Sequence, residues 1–476
     1  MRNRNYLIVG TVCAMLFLSA CKNLNILSKQ ENKSVPASYS NSQDTVNSGK
    51  QKWKEFFSDP YLGALIDSSL NNNQELNIIL QEINISNNEI MARKGAYLPF
   101  LNVGGGAGVD KVGRYTSQGA SEATTEIKPG RAMPDPVPDI RLGAYANWEV
   151  DIWRKLRNSK KSAVSRYLAS VEGKNFMVTH LISEIANSYY ELLALDNQLA
   201  ILTQNIEIQN NAFEIVKLQK EATRVTELAV RRFEAQVYHT RSMQYAIQQS
   251  IVVAENRINF LVGRFPQPVQ RSNADFNTLI PKVLQMGIPS QLFENRPDIR
   301  QAENELAATK LDVKVARANF YPSLNLSAGI GLQAFNPAFL VKAPESLLFS
   351  MLGDIVGPVI NRNEIKAMYF NANAKQTQAV YNYQRTILTA FIEVSNQLSN
   401  ISNLEKSYDL KSKQVDALMQ SVQISNDLFK FARADYMEVL LTQRDALESR
   451  FELVDTKKQQ MNAMVDMYRA LGGGWK

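Results

Sequence analysis

Alternate positions from Leu324 read Leu324, Leu326, Ala328, Ile330 and Leu332, while those between read Asn325, Ser327, Gly329, Gly331 and Gln333. One side of such a segment is apolar and the other polar or small, which is the signature of an extended strand with two different faces. The stretch from Ile140 repeats the pattern, with Ile140, Leu142, Ala144, Ala146, Trp148 and Val150 against Arg141, Gly143, Tyr145, Asn147, Glu149 and Asp151. An earlier stretch sets Leu101, Val103, Gly105, Ala107 and Val109 against Asn102, Gly104, Gly106, Gly108 and Asp110. Strands are therefore predicted near 100–110, 140–151 and 323–333, with a fourth at 348–358 whose alternation is poor. About ten residues of alternation is the length and period of a strand in a membrane β-barrel, although one wet face of a soluble sheet alternates too. Phe100, Tyr115, Trp148, Trp153, Phe320, Tyr321, Phe335 and Phe339 gather at the strand ends, as an aromatic girdle requires.

A second period governs the segments between. Leu181, Ile185, Ser188, Leu192, Leu195, Leu199 and Leu202 recur at spacings of four and three, as do Ile387 to Tyr408 and Leu440 to Tyr468. Sustained spacing of this kind predicts long coiled-coil helices, of which forty residues reach roughly 60 Å. A soluble helical bundle shares that period but does not explain strands inserted in each half.

The two patterns recur together because the chain is duplicated. YLPFLNV aligns with FYPSLNL on Pro99 and Pro322 at an offset of 223 (322 − 99), which carries Asn72, Glu75 and Leu76 onto Asn295, Asp298 and Ile299. Further on, Glu184 pairs with Glu393 at 209 (393 − 184) and Glu227 with Glu438 at 211 (438 − 227). The offset drops between the strands of each half, so the first copy holds a longer connection, the proline-containing 111–139, expected as an exposed loop. The first repeat is placed at 57–262, an equatorial linker at 263–283, the second repeat at 284–471 and a tail at 472–476.

Four strands cannot close a spanning barrel, and an open sheet edge cannot stand in hydrocarbon because its amides find no partner. Several chains must share one barrel, and three chains giving about twelve strands is the smallest solution with room for water. The expected fold is an internally duplicated mixed membrane protein, with four transmembrane strands per chain and long coiled-coil helices projecting from the membrane.

The N-terminus sets the compartment. Arg2 and Arg4 precede an apolar run from Tyr6 to Ala20, too short to span a bilayer and laid out as a signal peptide over 1–20. It closes with Leu18-Ser19-Ala20-Cys21, which resembles a bacterial lipobox and makes Cys21 the expected lipidation site, carrying palmitate in the lipoprotein. Cys13 then leaves with the signal, so no disulfide or thiolate metal site is expected. Residues 21–56 are expected to be a flexible, lipid-anchored tether to the outer membrane. The net charge of +7 falls to about +5 (7 − 2) without Arg2 and Arg4, too dilute to argue for nucleic acid.

Catalytic signatures are missing: no phosphate loop, HExxH or GxSxG occurs, and His180 and His239 stand singly in helical sequence. No catalytic residue, cofactor or metal is assigned. The helix tips, ATRVTELAVRRFEAQ (222–236) and ARADYMEVLLTQRDA (432–446), lack glycine and proline, which predicts tight turns with Thr226 or Asp435 as caps.

The segment GIPSQLFENRPDIRQAENELAATKLDVKVARANFYPSLNL (287–326) and the ending MYRALGGGWK (467–476) resemble the TolC-like outer membrane factor family, in its lipoprotein branch serving RND-type multidrug efflux. The resemblance implies a homotrimer with a twelve-stranded outer-membrane barrel and long coiled-coil helices forming a periplasmic α-barrel, docked to a periplasmic adaptor and an inner-membrane RND pump. It makes the function passive conduction of substrates in a tripartite efflux system, with a type I protein secretion outlet as the alternative. A non-conducting, lipid-anchored periplasmic coiled-coil adaptor is the reading from another class. Arg296, Pro297 and Asp298 form the family's RPD motif, expected to be structural, with Pro297 and Asp298 suited to a first helical turn. Family members often carry an acid followed by Ala-Gln-Arg at the second tip, where this chain has Leu441-Thr442-Gln443-Arg444. Arg444 matches and the acid is replaced by Leu441. Thr226, Glu227, Arg433, Asp435, Glu438, Leu441 and Arg444 are thus the expected aperture and docking residues, with Glu438 or Asp435 pairing Arg444 or Arg433, or a ring of Leu441, closing the aperture.

Overall fold

The computed structural model describes residues 29–39, 45–272, 276–358, 362–431 and 433–476. The signal peptide and Cys21 lie outside the described residues. In chain order the main elements are helices α1 (Pro60–Asn72) and α2 (Gln74–Tyr97), strands β1 (Phe100–Asp110) and β2 (Val137–Val150), and helices α3 (Lys155–Glu221) and α4 (Glu227–Val262). The second half repeats this with α5 (Pro297–Ala318), β3 (Ser323–Ala334), β4 (Leu347–Val356), α6 (Asn363–Lys430) and α7 (Tyr436–Ala470). None of the helices among the described residues is long and apolar enough to cross a membrane.

The chain divides into two compact units. The first, holding 85–167 and 304–380, is organised by a four-stranded sheet in the order β1-β2-β3-β4, each neighbouring pair antiparallel. Register keeps like faces together. Val103 opposes Ala144, Ala144 opposes Ile330 and Ile330 opposes Phe349, giving an apolar row across all four strands. One residue along, Asn102, Tyr145, Gly329 and Ser350 form a polar row on the other face. Because side chains alternate along each strand, slipping any pair by one residue would exchange the faces, so the pattern itself holds the register.

The poor alternation of β4 has a structural reason. Leu347, Phe349, Met351 and Ile355 continue the apolar face, but Leu348, Leu352 and Val356 put apolar groups on the polar face as well. The 111–139 connection is also more ordered than an exposed loop. It contains a short helix at Ser117–Thr124 and a hairpin of Glu126–Lys128 with Arg131–Ala132. Asp135 ties it down through Arg114 at 3.2 Å and Lys111 at 3.5 Å. β2 starts at Val137, three residues ahead of the expected position. Pro138 is tolerated there because pairing with β3 begins only at Ile140, so it removes no bond on that side.

The second unit, 31–84, 168–303 and 381–476, holds the main core. Phe56, Leu62, Ile66, Ile185, Tyr189, Leu192, Ile258, Val465 and Tyr468 are buried together. The heptad positions explain this: Leu181, Ile185, Ser188, Leu192 and Leu202 are all buried, with Leu195 and Leu199 packed beside them. Farther along α6 the stripe from Leu398 to Tyr408 stays exposed or half-buried, so its period is not satisfied within one chain.

The tether, expected to be flexible, and the equatorial linker are both tied to the second unit in their described parts. In the second unit Lys33 pairs with Glu303 at 2.6 Å, Tyr39 stacks on Phe391 at 5.4 Å, and Asn47 bridges to Met286. The described part of the 21–56 tether is therefore docked rather than flexible. Its polar composition hides a few anchoring side chains. The 263–283 linker is pinned by Arg271, which bonds Asp196 and Glu255 at 2.5 Å each, and by buried Val269 and Phe276.

The duplication is visible in atomic detail at the ends of α4 and α7. Gly263 and Gly472, offset by 209 (472 − 263), both adopt left-handed backbone with φ of 78° and 84°. A Cβ on Gly263 would strike the Asn72 carbonyl, and one on Gly472 the Asn295 carbonyl, which are themselves 223 apart (295 − 72). Both constraints select glycine at these helix ends.

Candidate functional site

The polar face of the sheet and its two edges are the first candidate region. Every residue of β1 and of β4 is exposed, although both strands carry large apolar groups. Val103, Phe349, Met351 and Ile355 are each more than 70% exposed, and with β1 and β4 at the margins their outer N–H and C=O groups have no ladder partner within the sheet. An edge with those properties is a template for pairing with another strand.

Aromatic side chains bracket β3. At its start Trp153 stacks on Tyr321 at 4.6 Å and its indole N–H donates to the Pro322 carbonyl at 2.7 Å. At its end Phe335 meets Phe339 edge-on at 5.5 Å. The Trp148 indole, in the apolar row, donates to the Tyr97 carbonyl at 3.2 Å. Indole N–H groups anchored to carbonyls, with Trp153 exposed and the other rings half-buried, is an arrangement that suits a membrane–water boundary.

Next to the sheet, α3 and α5 are joined by a polar seam. Ser162 Oγ donates to Asp312 at 2.6 Å, and Arg166 reaches both Asp312 and Ser162. Asp151, buried at the end of β2, accepts the backbone N–H groups of Leu156 and Arg157 at 3.0 and 2.9 Å. It thereby satisfies the first-turn donors that α3 would otherwise leave open.

The helix tips are the second region, in the other unit. Both turns close in the same way. Thr223 takes φ of 57° and the Arg224 N–H donates to Gln219 O at 2.8 Å. In the second tip the Arg433 N–H donates to Leu428 O at 2.8 Å, again 209 residues on. Thr226 and Asp435 occupy the N-cap positions of α4 and α7, but neither side chain makes a capping bond. Their carbonyls accept instead, Thr226 from Ala229 and Asp435 from Glu438, each at 3.1 Å.

Glu227 staples the first tip by bonding Lys220 at the end of α3 and Arg231 at 2.8 Å. The Lys220 bond, with help from Arg231, holds its carboxyl below the ordinary range. The second tip has no such staple. Arg444 pairs with Asp445 at 3.1 Å, while Arg433, Asp435 and Glu438 form no ion pair with one another or with Arg444 among the described residues. Leu441 is exposed. The tips meet through an apolar cluster of Val216, Ala229, Val230 and Phe233 with Val439, and through Arg232 against Met437 Sδ at 3.0 Å.

The RPD motif belongs to the second unit and ties several of its segments together. Arg296, 5% exposed, bonds Asp298 at 2.6 and 3.0 Å, Glu393 at 2.6 Å and the Ala470 carbonyl at 3.1 Å. Pro297 opens α5 and Asp298 accepts from the Ile299 N–H at 3.0 Å. In the first copy the corresponding residue is Asn73, which donates to the Leu261 carbonyl at 2.9 Å and caps α2 through Leu76 N–H at 3.0 Å. Ala470 and Leu261 are 209 apart, so arginine and asparagine do one job at equivalent sites. Sequence reasoning missed this pair because the residue types differ. His180 sits 3.9 Å from Glu184 on α3, and His239 is exposed on α4.

A family model described as outer membrane efflux protein matches residues 65–264 and 288–473. The pyoverdine export outer membrane protein OpmQ of Pseudomonas aeruginosa is 27% identical over 90% of this chain and 88% of its own length. The probable outer membrane lipoprotein SilC of Salmonella typhimurium is 25% identical over 98% of both chains. Among solved structures, the open state of the Neisseria gonorrhoeae MtrE outer membrane channel superposes with a TM-score of 0.82 at 22% identity, covering 94% of this chain and 97% of that one.

Proposed function

The chain belongs to the outer membrane efflux protein family and is an outer-membrane efflux channel, and from that premise we propose that three copies pool their strands into one twelve-stranded barrel. The observation that carries this reading is the sheet with one continuous apolar face and two wholly exposed edge strands. Pairing β4 of one copy with β1 of the next satisfies both edges, and repetition around a three-fold axis closes the ring. The exposed apolar residues of α2 and α6, among them Ile85, Met91, Leu388 and Ile392, gain partners in the same step.

In this assembly the polar row faces a water-filled lumen, the long helices line the periplasmic part of the conduit, and Cys21 carries the lipid anchor. The tips at Thr226, Glu227, Arg433, Asp435, Glu438, Leu441 and Arg444 form the aperture and meet a periplasmic adaptor fed by an inner-membrane RND pump. Substrates pass through without chemistry on this chain.

Purified full-length protein in planar bilayers tests the reading. A detergent-soluble trimer giving discrete single-channel conductance is expected. A monomer released without detergent, or a trimer that never conducts, would refute it.

A further inference from the structure

The start of α3 concentrates positive charge: Arg154, Lys155, Arg157, Lys160 and Lys161 fall within eight residues. Two of the five are neutralised locally, Lys155 by Glu149 at 2.5 Å and Arg157 by Asp151 at 3.2 Å. Arg154, Lys160 and Lys161 have no acidic partner among the described residues. The helix terminus itself is not the attraction, since Asp151 already occupies its first amides. What remains is a cationic groove of about 580 Å³, bordered by Arg154, Arg157, Lys160 and Lys161 and lined with Val164 and Leu311.

Its position points to the occupant. Trp148 belongs to the apolar row and bonds Tyr97, and the Arg157 guanidinium lies 5.5 Å from the Tyr97 ring. Arg157 thus lies beside the Tyr97–Trp148 contact, and the cations follow just past Val150, where the apolar face ends. At the same end of the sheet the exposed Trp153 stacks on the half-buried Tyr321. The groove follows the inner strand β2, not an edge strand, and lies where α3 is joined to α5 by the Ser162–Asp312 seam.

We propose that this groove binds anionic phospholipid head groups of the membrane leaflet facing the helices. The phosphate sits among Arg154, Lys160 and Lys161, and the first acyl carbons meet Val164 and Leu311. The proposal rests on the reading of the sheet as membrane-spanning. A free phosphate would satisfy the charges but leave the apolar lining of Val164 and Leu311 unused, which is why a lipid is the better fit.

The test uses the full-length assembled protein and counts retained lipids by native mass spectrometry after exchange into micelles containing palmitoyl-oleoyl phosphatidylglycerol or phosphatidylcholine. Each surface cation contributes about fivefold in affinity for an anionic lipid surface, so a triple variant Arg154→Gln, Lys160→Gln, Lys161→Gln is expected to lose phosphatidylglycerol binding on the order of a hundredfold. Phosphatidylcholine retention should be unchanged. A control removing Lys217, Lys413 and Lys430 in the same way should keep the preference. If the triple variant does not assemble, Lys160→Gln with Lys161→Gln is expected to lose roughly twenty-five-fold. An unaltered phosphatidylglycerol preference in either variant overturns the proposal, as does displacement of the lipid by millimolar inorganic phosphate. Failure of the parent to conduct would instead count against the channel reading, so the two outcomes are distinguishable.

Discussion

Replacing Arg296 with alanine tests whether the RPD motif is a structural clamp. The side chain is 7% exposed and makes four bonds, two to Asp298, one to Glu393 and one to the Ala470 carbonyl. Removing one partner of a fully buried ion pair costs about 3–5 kcal/mol. The cost here is smaller because the acids are not stranded: the Glu393 side chain is 44% exposed and rehydrates, and Asp298 keeps the Ile299 N–H and the helix dipole. About 2–3 kcal/mol is expected for Arg296→Ala. Asn73→Ala removes two neutral bonds in the first copy, and Leu261 O still accepts from Ser69 Oγ at 2.7 Å, so about 1–2 kcal/mol follows. Urea dependence of helical circular dichroism, on full-length protein under one detergent and one incubation time, measures both. Equal losses, or a loss under about 0.5 kcal/mol for Arg296→Ala, would remove the clamp as an explanation.

Ile330→Arg, in the middle apolar row, should lower the stability of the membrane-inserted protein by about 2–4 kcal/mol in vesicle folding titrations, whereas Ser350→Arg in the polar row should leave stability near the parent value and change ion selectivity. Gln209 is buried with neither amide atom bonded among the described residues, so Gln209→Leu should stabilise by about 1–3 kcal/mol, read as a higher urea midpoint. Burial raises the phenol pKa of Tyr189, Tyr190 and Tyr468, with the Asp59 bond adding to the effect at Tyr189. A raised folded-state pKa gives stability that is complete below the unfolded value of about 10 and lost as pH climbs beyond it, so the melting temperature should fall on the alkaline side from about pH 10. Substituting Asp435, Glu438 and Leu441 together with alanine should raise the conductance of the closed channel; an unchanged closed state would put the gate elsewhere.

Legibility followed the strength of the local pattern. Strands carrying two chemically distinct faces stood out because one face meets apolar surroundings and the other does not, and the long helices stood out because heptads accumulate over many turns. Features held by a few side chains were hidden. The strap at 29–39 reads as polar linker, yet Lys33 and Tyr39 dock it against Glu303 and Phe391. The 111–139 connection reads as loop because its prolines are counted, whereas Pro138 joins β2 ahead of its pairing with β3, where no bond is lost on that side. Thr226 and Asp435 have the right residue type for capping, but backbone carbonyls had already taken the exposed amides.

The broken alternation of β4 fits the same physics once strands from two copies are paired. Antiparallel pairing of β4 with a neighbouring β1 places the polar-parity residues of both strands on one face. Those are Leu348, Ser350 and Leu352 on one side and Gly104, Gly106 and Gly108 on the other. Gly104 and Gly108 leave empty surface there while Gly106 already lies under Arg141, and on the inner strand β3 such surface is covered by a large neighbour: a Cβ on Gly329 would lie 3.1 Å from Tyr145 Cδ1 and 3.1 Å from Ser350 Oγ. Leu348 and Leu352 can cover the β1 glycines in the same manner, replacing water against bare backbone with apolar contact. The apolar residues that spoil the period of β4 are then the complement of the glycines that weaken β1. Each edge strand is incomplete by itself, and each carries what the other lacks.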